Sequence, residues 1–122
     1  MKVVGYMEGT DPGVLTKLVV EGVETLPLSN GWDNHGKHLT LLNPADNISV
    51  VVGNLHKFLR LEDETIFNAM LATVKAYDIM VLFVVPKELH AKAAKAVKSD
   101  DLKYKFVDPA DLADAIMAHL KN

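Results

Sequence analysis

With 122 residues, 49% hydrophobic and 24% charged, the chain has the balance of one globular domain spanning 1–122 rather than of a disordered segment. Its formal net charge of −3 supplies no basic surplus to displace counterions, so nucleic acid is not expected as a partner. Having no cysteine, it can form no disulfide, thiolate metal site or cysteine nucleophile.

The first residues, MKVVGYMEG, do not read as a secretory leader. The longest apolar run, Ile79–Val85, falls far short of the roughly 20 residues that span a bilayer. No membrane partner is expected, and the expected location is cytoplasmic.

In chain order, Lys2–Met7 reads as a short, nearly all-apolar strand of the kind buried in a parallel sheet. Asp11-Pro12 follows, with Asp as N-cap and Pro at the first helical position, where its missing N–H costs nothing. The helix is expected to run to about Glu21, with Leu15, Leu18 and Val19 turned inward. Val23–Leu28 is a strand whose Pro27 confines it to an edge or to a strand end.

Residues 29–47 break the rhythm. They are polar at both ends, with a short strand expected within His38–Leu42. Loops this long are uncommon inside compact domains and are often functional. Ile48–Val52 is a clear strand. Gly53-Asn54 is read as the loop closing a parallel strand, in preference to a hairpin turn into a strand Leu55–Leu61. Glu62, Asp63 and Glu64 place negative charge at a helix start. Phe67, Met70, Leu71, Val74 and Tyr77 then recur at helical spacing.

Ile79–Val85 should be a central strand covered on both faces. Pro86 opens a helix over Lys87–Lys98 that buries Leu89, Ala93 and Val97, its lysines forming a solvated face. Tyr104–Val107 is the last strand. Asp108-Pro109 repeats the capped helix start, and Leu112, Ile116 and Leu120 face inward. These elements define a three-layer α/β/α domain with a mostly parallel sheet of about five strands, Rossmann-like or flavodoxin-like.

Ligands of such sheets bind outside the carboxyl ends of the strands, where strand order reverses. That rule collects Gly9, Thr10 and Asp11 after the first strand. Trp32, Asp33 and His35 follow the second, and Asn54 and His56 follow the third. The Gly9–Gly13 turn matches neither G-x-G-x-x-G nor the lysine-bearing phosphate loop. Asp11 also puts a carboxylate where an anion would bind. It reads first as a cap, and beyond that as an acceptor for a ribose or other hydroxyl.

The densest polar cluster runs from Trp32 through Asn34 to His38. Asp33, His35 and His38 carry donor types that suit a divalent metal such as zinc, nickel or iron. The plainer reading is a solvated loop. Trp32 tilts it toward function, because a large ring among polar residues has to cover something.

The leading functional expectation is a domain that binds a small polar ligand, such as a nucleotide, through Gly9, Thr10, Asp11, Trp32, Asp33, His35 and Asn54. One alternative is a metal-dependent hydrolase or lyase with Asp33, His35 and His38 as ligands and His56 as the acid–base group. The other is a non-catalytic subunit or homo-oligomer that uses the Trp32 loop as its interface.

Overall fold

The computed structural model of the chain describes residues 2–33, 35–59, 64–97 and 101–121. Expectations that fall on Asn34, Leu61, Glu62, Asp63 and Lys98 lie outside the described residues. The strands are β1 (Val3–Met7), β2 (Glu24–Ser29), β3 (Lys37–His38), β4 (Ile48–Asn54), β5 (Met80–Val84) and β6 (Tyr104–Val107). The helices are α1 (Pro12–Val20), α2 (Glu64–Ala76), α3 (His90–Ala96) and α4 (Leu112–Leu120).

All strand pairs are parallel, in the order β3-β2-β1-β4-β5-β6. Counting the two-residue β3 this is the Rossmann order, and the five longer strands alone follow the flavodoxin-like order 2-1-3-4-5; either way the order reverses direction between β1 and β4. The sixth strand is the two-residue β3. Of the expected His38–Leu42 strand only His38 is extended, together with Lys37 before it, and Leu39–Leu41 turns into a 3₁₀ segment.

Parallel neighbours ordinarily need a crossover of a dozen residues or more. The segment 30–36 suffices here because β3 starts beside the end of β2, pairing Lys37 with Leu28 and His38 with Ser29. For the same reason Pro27 is tolerated in a strand second from the edge. From Glu24 to Pro27, β2 is paired only with β1 among the described residues, so most of its length behaves as an edge.

Strand alternation divides the core in two. One face packs Met7, Leu28, Val51, Val81, Phe83 and Val85 against α2, α3 and the Leu39–Leu42 segment. The other packs Val4, Val50, Val52, Leu82 and Val84 against α1 and α4. β5 is enclosed on both faces: Val81, Leu82 and Phe83 are at most 1% exposed, as their unbroken apolar run requires.

Two inward-facing expectations fail. In α1 the buried pair is Val14 and Leu18, whereas Val19 is 62% exposed. One residue along a helix rotates the side chain by about 100°, which carries Val19 off the Val14–Leu18 stripe. Leu89 is 43% exposed because Lys87–Leu89 is a 3₁₀ turn ahead of α3; Ala93 and Val97 are buried as expected.

Both Asp-Pro entries cap as their chemistry dictates. Asp11 Oδ1 accepts from the Gly13 N–H at 2.9 Å. Asp108 accepts from the Ala110 N–H at 3.0 Å and from the Lys87 N–H at 2.8 Å, tying the segment after β5 to the start of the last helical stretch. These backbone donors, first that of Lys87 and then that of Ala110, hold the Asp108 carboxyl below its ordinary value of 3.8.

Asp46 is lowered too, first by Lys37 Nζ at 2.8 Å and then by the Asn43 N–H at 3.0 Å. A carboxylate favoured in the folded state stabilises it above its unfolded pKa, and that stabilisation fades as pH falls through the lower folded value. Replacing Asp108 with alanine should lower the melting temperature at neutral pH by about 5 °C. The gap from wild type should close as melts are taken from about pH 5 toward about pH 2. A gap that persists in acid would contradict the cap.

Candidate functional site

The reversal between β1 and β4 opens the carboxyl ends of those strands side by side. The loops there are stitched together. Asn54, the last residue of β4, donates through Nδ2 to the Gly9 carbonyl at 3.2 Å. Asn30, fully buried, donates through Nδ2 to the Lys57 carbonyl at 2.7 Å, while its Oδ1 accepts from the backbone N–H groups of Trp32 (2.9 Å) and Asp33 (3.0 Å).

Lys57 Nζ reaches back to Asp33 Oδ2 at 3.1 Å, both side chains about one-fifth exposed. The segments after β1, β2 and β4 therefore form one connected rim. This is where the sequence places Gly9–Asp11, the Trp32 cluster and Asn54.

Local chemistry explains the shapes. Ser29 donates its hydroxyl to the Asp33 carbonyl at 2.6 Å and accepts from the Gly31 N–H at 3.1 Å, so the chain turns tightly as it leaves β2. Gly9 has φ +87, and a Cβ built on it would stand 3.5 Å from both Asn54 Nδ2 and Lys57 Cε. The lysine stem thus runs beside Gly9 on its way to Asp33. Among the described residues β4 runs into a 3₁₀ turn, Leu55–Lys57, instead of a hairpin, so Gly53-Asn54 closes a parallel strand as expected.

The anticipated residues differ in how they lie at this rim. Gly9 and Asp11 are exposed, Asn54 is half-buried and His56 is exposed. Asp11 Oδ1 is used by its cap, leaving Oδ2 as an acceptor. Thr10 turns inward: it is 7% exposed and donates its hydroxyl to the Met7 carbonyl at 2.7 Å. Trp32 is half-buried at the rim.

His35 folds back over the sheet. Its Nδ1 lies 3.1 Å from the Leu28 carbonyl, which can only accept, and its ring meets Tyr6 edge-on at 5.5 Å. Substituting His35 therefore disturbs packing as well as the rim.

The three residues weighed as metal ligands have separate partners: Lys57 for Asp33, Leu28 and Tyr6 for His35, and Thr40 for His38. His38 Nδ1 accepts from the Thr40 N–H at 3.2 Å and lies 2.7 Å from its hydroxyl. Among the described residues, no three His, Asp or Glu side chains gather as a metal-holding group.

Lys57 is the rim residue that sequence reasoning missed. A lone lysine after a strand carries no motif, and its contact with Asp33 spans 24 positions. Position was the only signal, because it directly follows a strand flanking the reversal.

Two cavities of similar size lie at opposite ends of the sheet. One, about 340 Å³, is at the amino ends of β4 and β5, lined by residues including Asn43, Asn47, Ser49 and Tyr77. Asn43 there is committed to capping the turn at Pro44–Asp46. The other, about 360 Å³, opens beside the rim between the carboxyl ends of β4 and β5. The carboxyl-end position is where the rule for open α/β sheets puts ligands, which makes that end the candidate site.

Strand order, connected rim and adjoining cavity give a parallel α/β domain with its candidate site at the topological switch point. Compared with known protein families, characterised proteins and solved structures, the chain matches none. Among the described residues, no helix is long and apolar enough to cross a membrane.

Proposed function

We propose that the rim between β1 and β4 binds a small, hydroxyl-bearing polar ligand, the ribose of a nucleoside or nucleotide being the chemistry it suits best. The observation that carries this reading is the joining of three switch-point loops through Asn54–Gly9, Asn30–Lys57 and Lys57–Asp33. Such bonding presets the rim, so little ordering is left to be done when a ligand arrives.

A phosphate cradle is disfavoured at the start of α1. Pro12 has no N–H, the Gly13 N–H is taken by Asp11, and the carboxylate would repel an anion. Asp11 Oδ2 and the Asn54 carboxamide oxygen suit hydroxyl donors instead.

The test is calorimetric titration of adenosine into wild type and Asp11→Asn. Asparagine caps a helix about as well as aspartate, so the fold is kept while one charged acceptor becomes a donor. Losing a hydrogen bond to a charged acceptor should weaken adenosine about 10–100-fold. Equal affinity in both proteins would remove Asp11 from the site, and no binding to wild type would remove the reading.

A second reading, self-association, draws on α1, where Val19 is 62% and Val20 79% exposed. Light scattering tests it: a dimer abolished by Val20→Glu supports it, and a monomer at all concentrations rejects it.

A further inference from the structure

From the cleft beside the rim we infer that the ligand carries a flat heteroaromatic ring, seated between the carboxyl ends of β4 and β5. This rests on the rim reading above and supplies the other half of the molecule.

The cleft measures about 360 Å³. That is the lower end of the roughly 300–1,000 Å³ usual for small-molecule sites. One wall comes from the segment after β4, with Leu55 and Leu59. The other comes from the end of β5 and beyond, with Val85, Pro86 and Leu89. Apolar side chains brought together from the ends of two neighbouring strands suit a planar ring, which can bury a face against them while keeping its edge free.

That edge meets polar groups. Asn54 and His56 also line the cleft. Asn54 Nδ2 is bonded to the Gly9 carbonyl, so its Oδ1 is the atom available to an exocyclic amine on the ring's edge. His56 is exposed and has no hydrogen-bond partner among the described residues, and its imidazole can donate or accept.

Asn54 belongs both to the rim stitching and to the cleft lining, so the two halves of the site share this residue. A ring with hydrogen-bonding edges in the cleft and hydroxyls over Gly9–Asp11 is the outline of a nucleoside. Leu89 gives independent support: it is a large apolar side chain left 43% exposed on the cleft wall, where a ring would cover it.

The experiment compares adenosine, ribose and free adenine on wild type, Leu89→Asp, Leu59→Trp and Asp11→Asn, by calorimetry. Leu89 is exposed enough for a carboxylate to be solvated in the folded protein, and Leu59→Trp fills the cleft from the other wall. Adenosine should bind wild type at least about tenfold more tightly than ribose, the order expected for burying a ring. Both cleft variants should erase that preference, while Asp11→Asn weakens adenosine and ribose alike and leaves adenine unchanged.

Adenosine binding no tighter than ribose, or a preference that survives both cleft variants, overturns the ring assignment and leaves the rim reading standing. Adenine binding that responds to Leu89→Asp, with ribose inert and Asp11→Asn silent, upholds the cleft and overturns the rim. No binding of any of the three overturns both.

Discussion

Replacing Phe83 with alanine is expected to destabilise the fold by about 3–5 kcal/mol, the largest effect of any single side chain here. Phe83 is fully buried in β5, a strand enclosed on both faces. Its ring meets Phe58 edge-on at 5.0 Å and lies 5.8 Å from Tyr104 and 5.9 Å from Phe106. Truncation removes the ring's transfer energy and these aromatic contacts, and leaves a void that strands pinned on both sides cannot close.

A domain of this size has only about 5–15 kcal/mol in hand, so the variant should be close to unfolding. A shift in urea midpoint worth less than about 1 kcal/mol would contradict this account of the core.

Gly36→Ala should cost about 2–4 kcal/mol and also damage the site. Gly36 has φ +74, a conformation that side-chain-bearing residues adopt only with strain. A Cβ there would run into the backbone carbonyl of Pro27, which has no flexible end to move aside. The segment 30–36 would have to lift off β2, loosening the pairing of Lys37 with Leu28 and the approach of His35 to Tyr6. Asp33, three positions before Gly36, would lose its placement against Lys57. Thermal melts and adenosine titration should therefore fall together. A variant that melts like wild type would mean that the close approach to Pro27 does not hold the loop.

What the sequence made legible follows the range of each interaction. The Asp-Pro caps, the apolar run of β5 and the repeats in α2 and α4 act over a few residues, and the structure repeats them closely. Strand order is non-local. Nothing in the sequence marks the reversal between β1 and β4, although the break in rhythm over 29–47 coincides with it.

β3 was hard to delimit because two residues carry no period. Val19 was misplaced because it stands one residue off the buried register of its helix, and Leu89 because the α-helix begins only after it.

At the site, the neighbourhood of Gly9, Asp11, Trp32, Asp33 and Asn54 was legible through the strand-end rule. The inward turn of Thr10, the backward fold of His35 and the bridging role of Lys57 were not. Each depends on a partner chosen by the three-dimensional arrangement: Met7, Tyr6 and Asp33 in turn.

The central claim is that the switch-point rim receives the ligand, and its most direct test is a map of backbone amide shifts on titrating adenosine into the isotope-labelled protein. The account predicts that the amides of Gly9, Gly31–Asp33 and Asn54–Lys57 move together along one saturating curve. Shifts confined to the opposite end of the sheet, around Asn43, Ser49 and Tyr77, would contradict it, as would a spectrum that does not change.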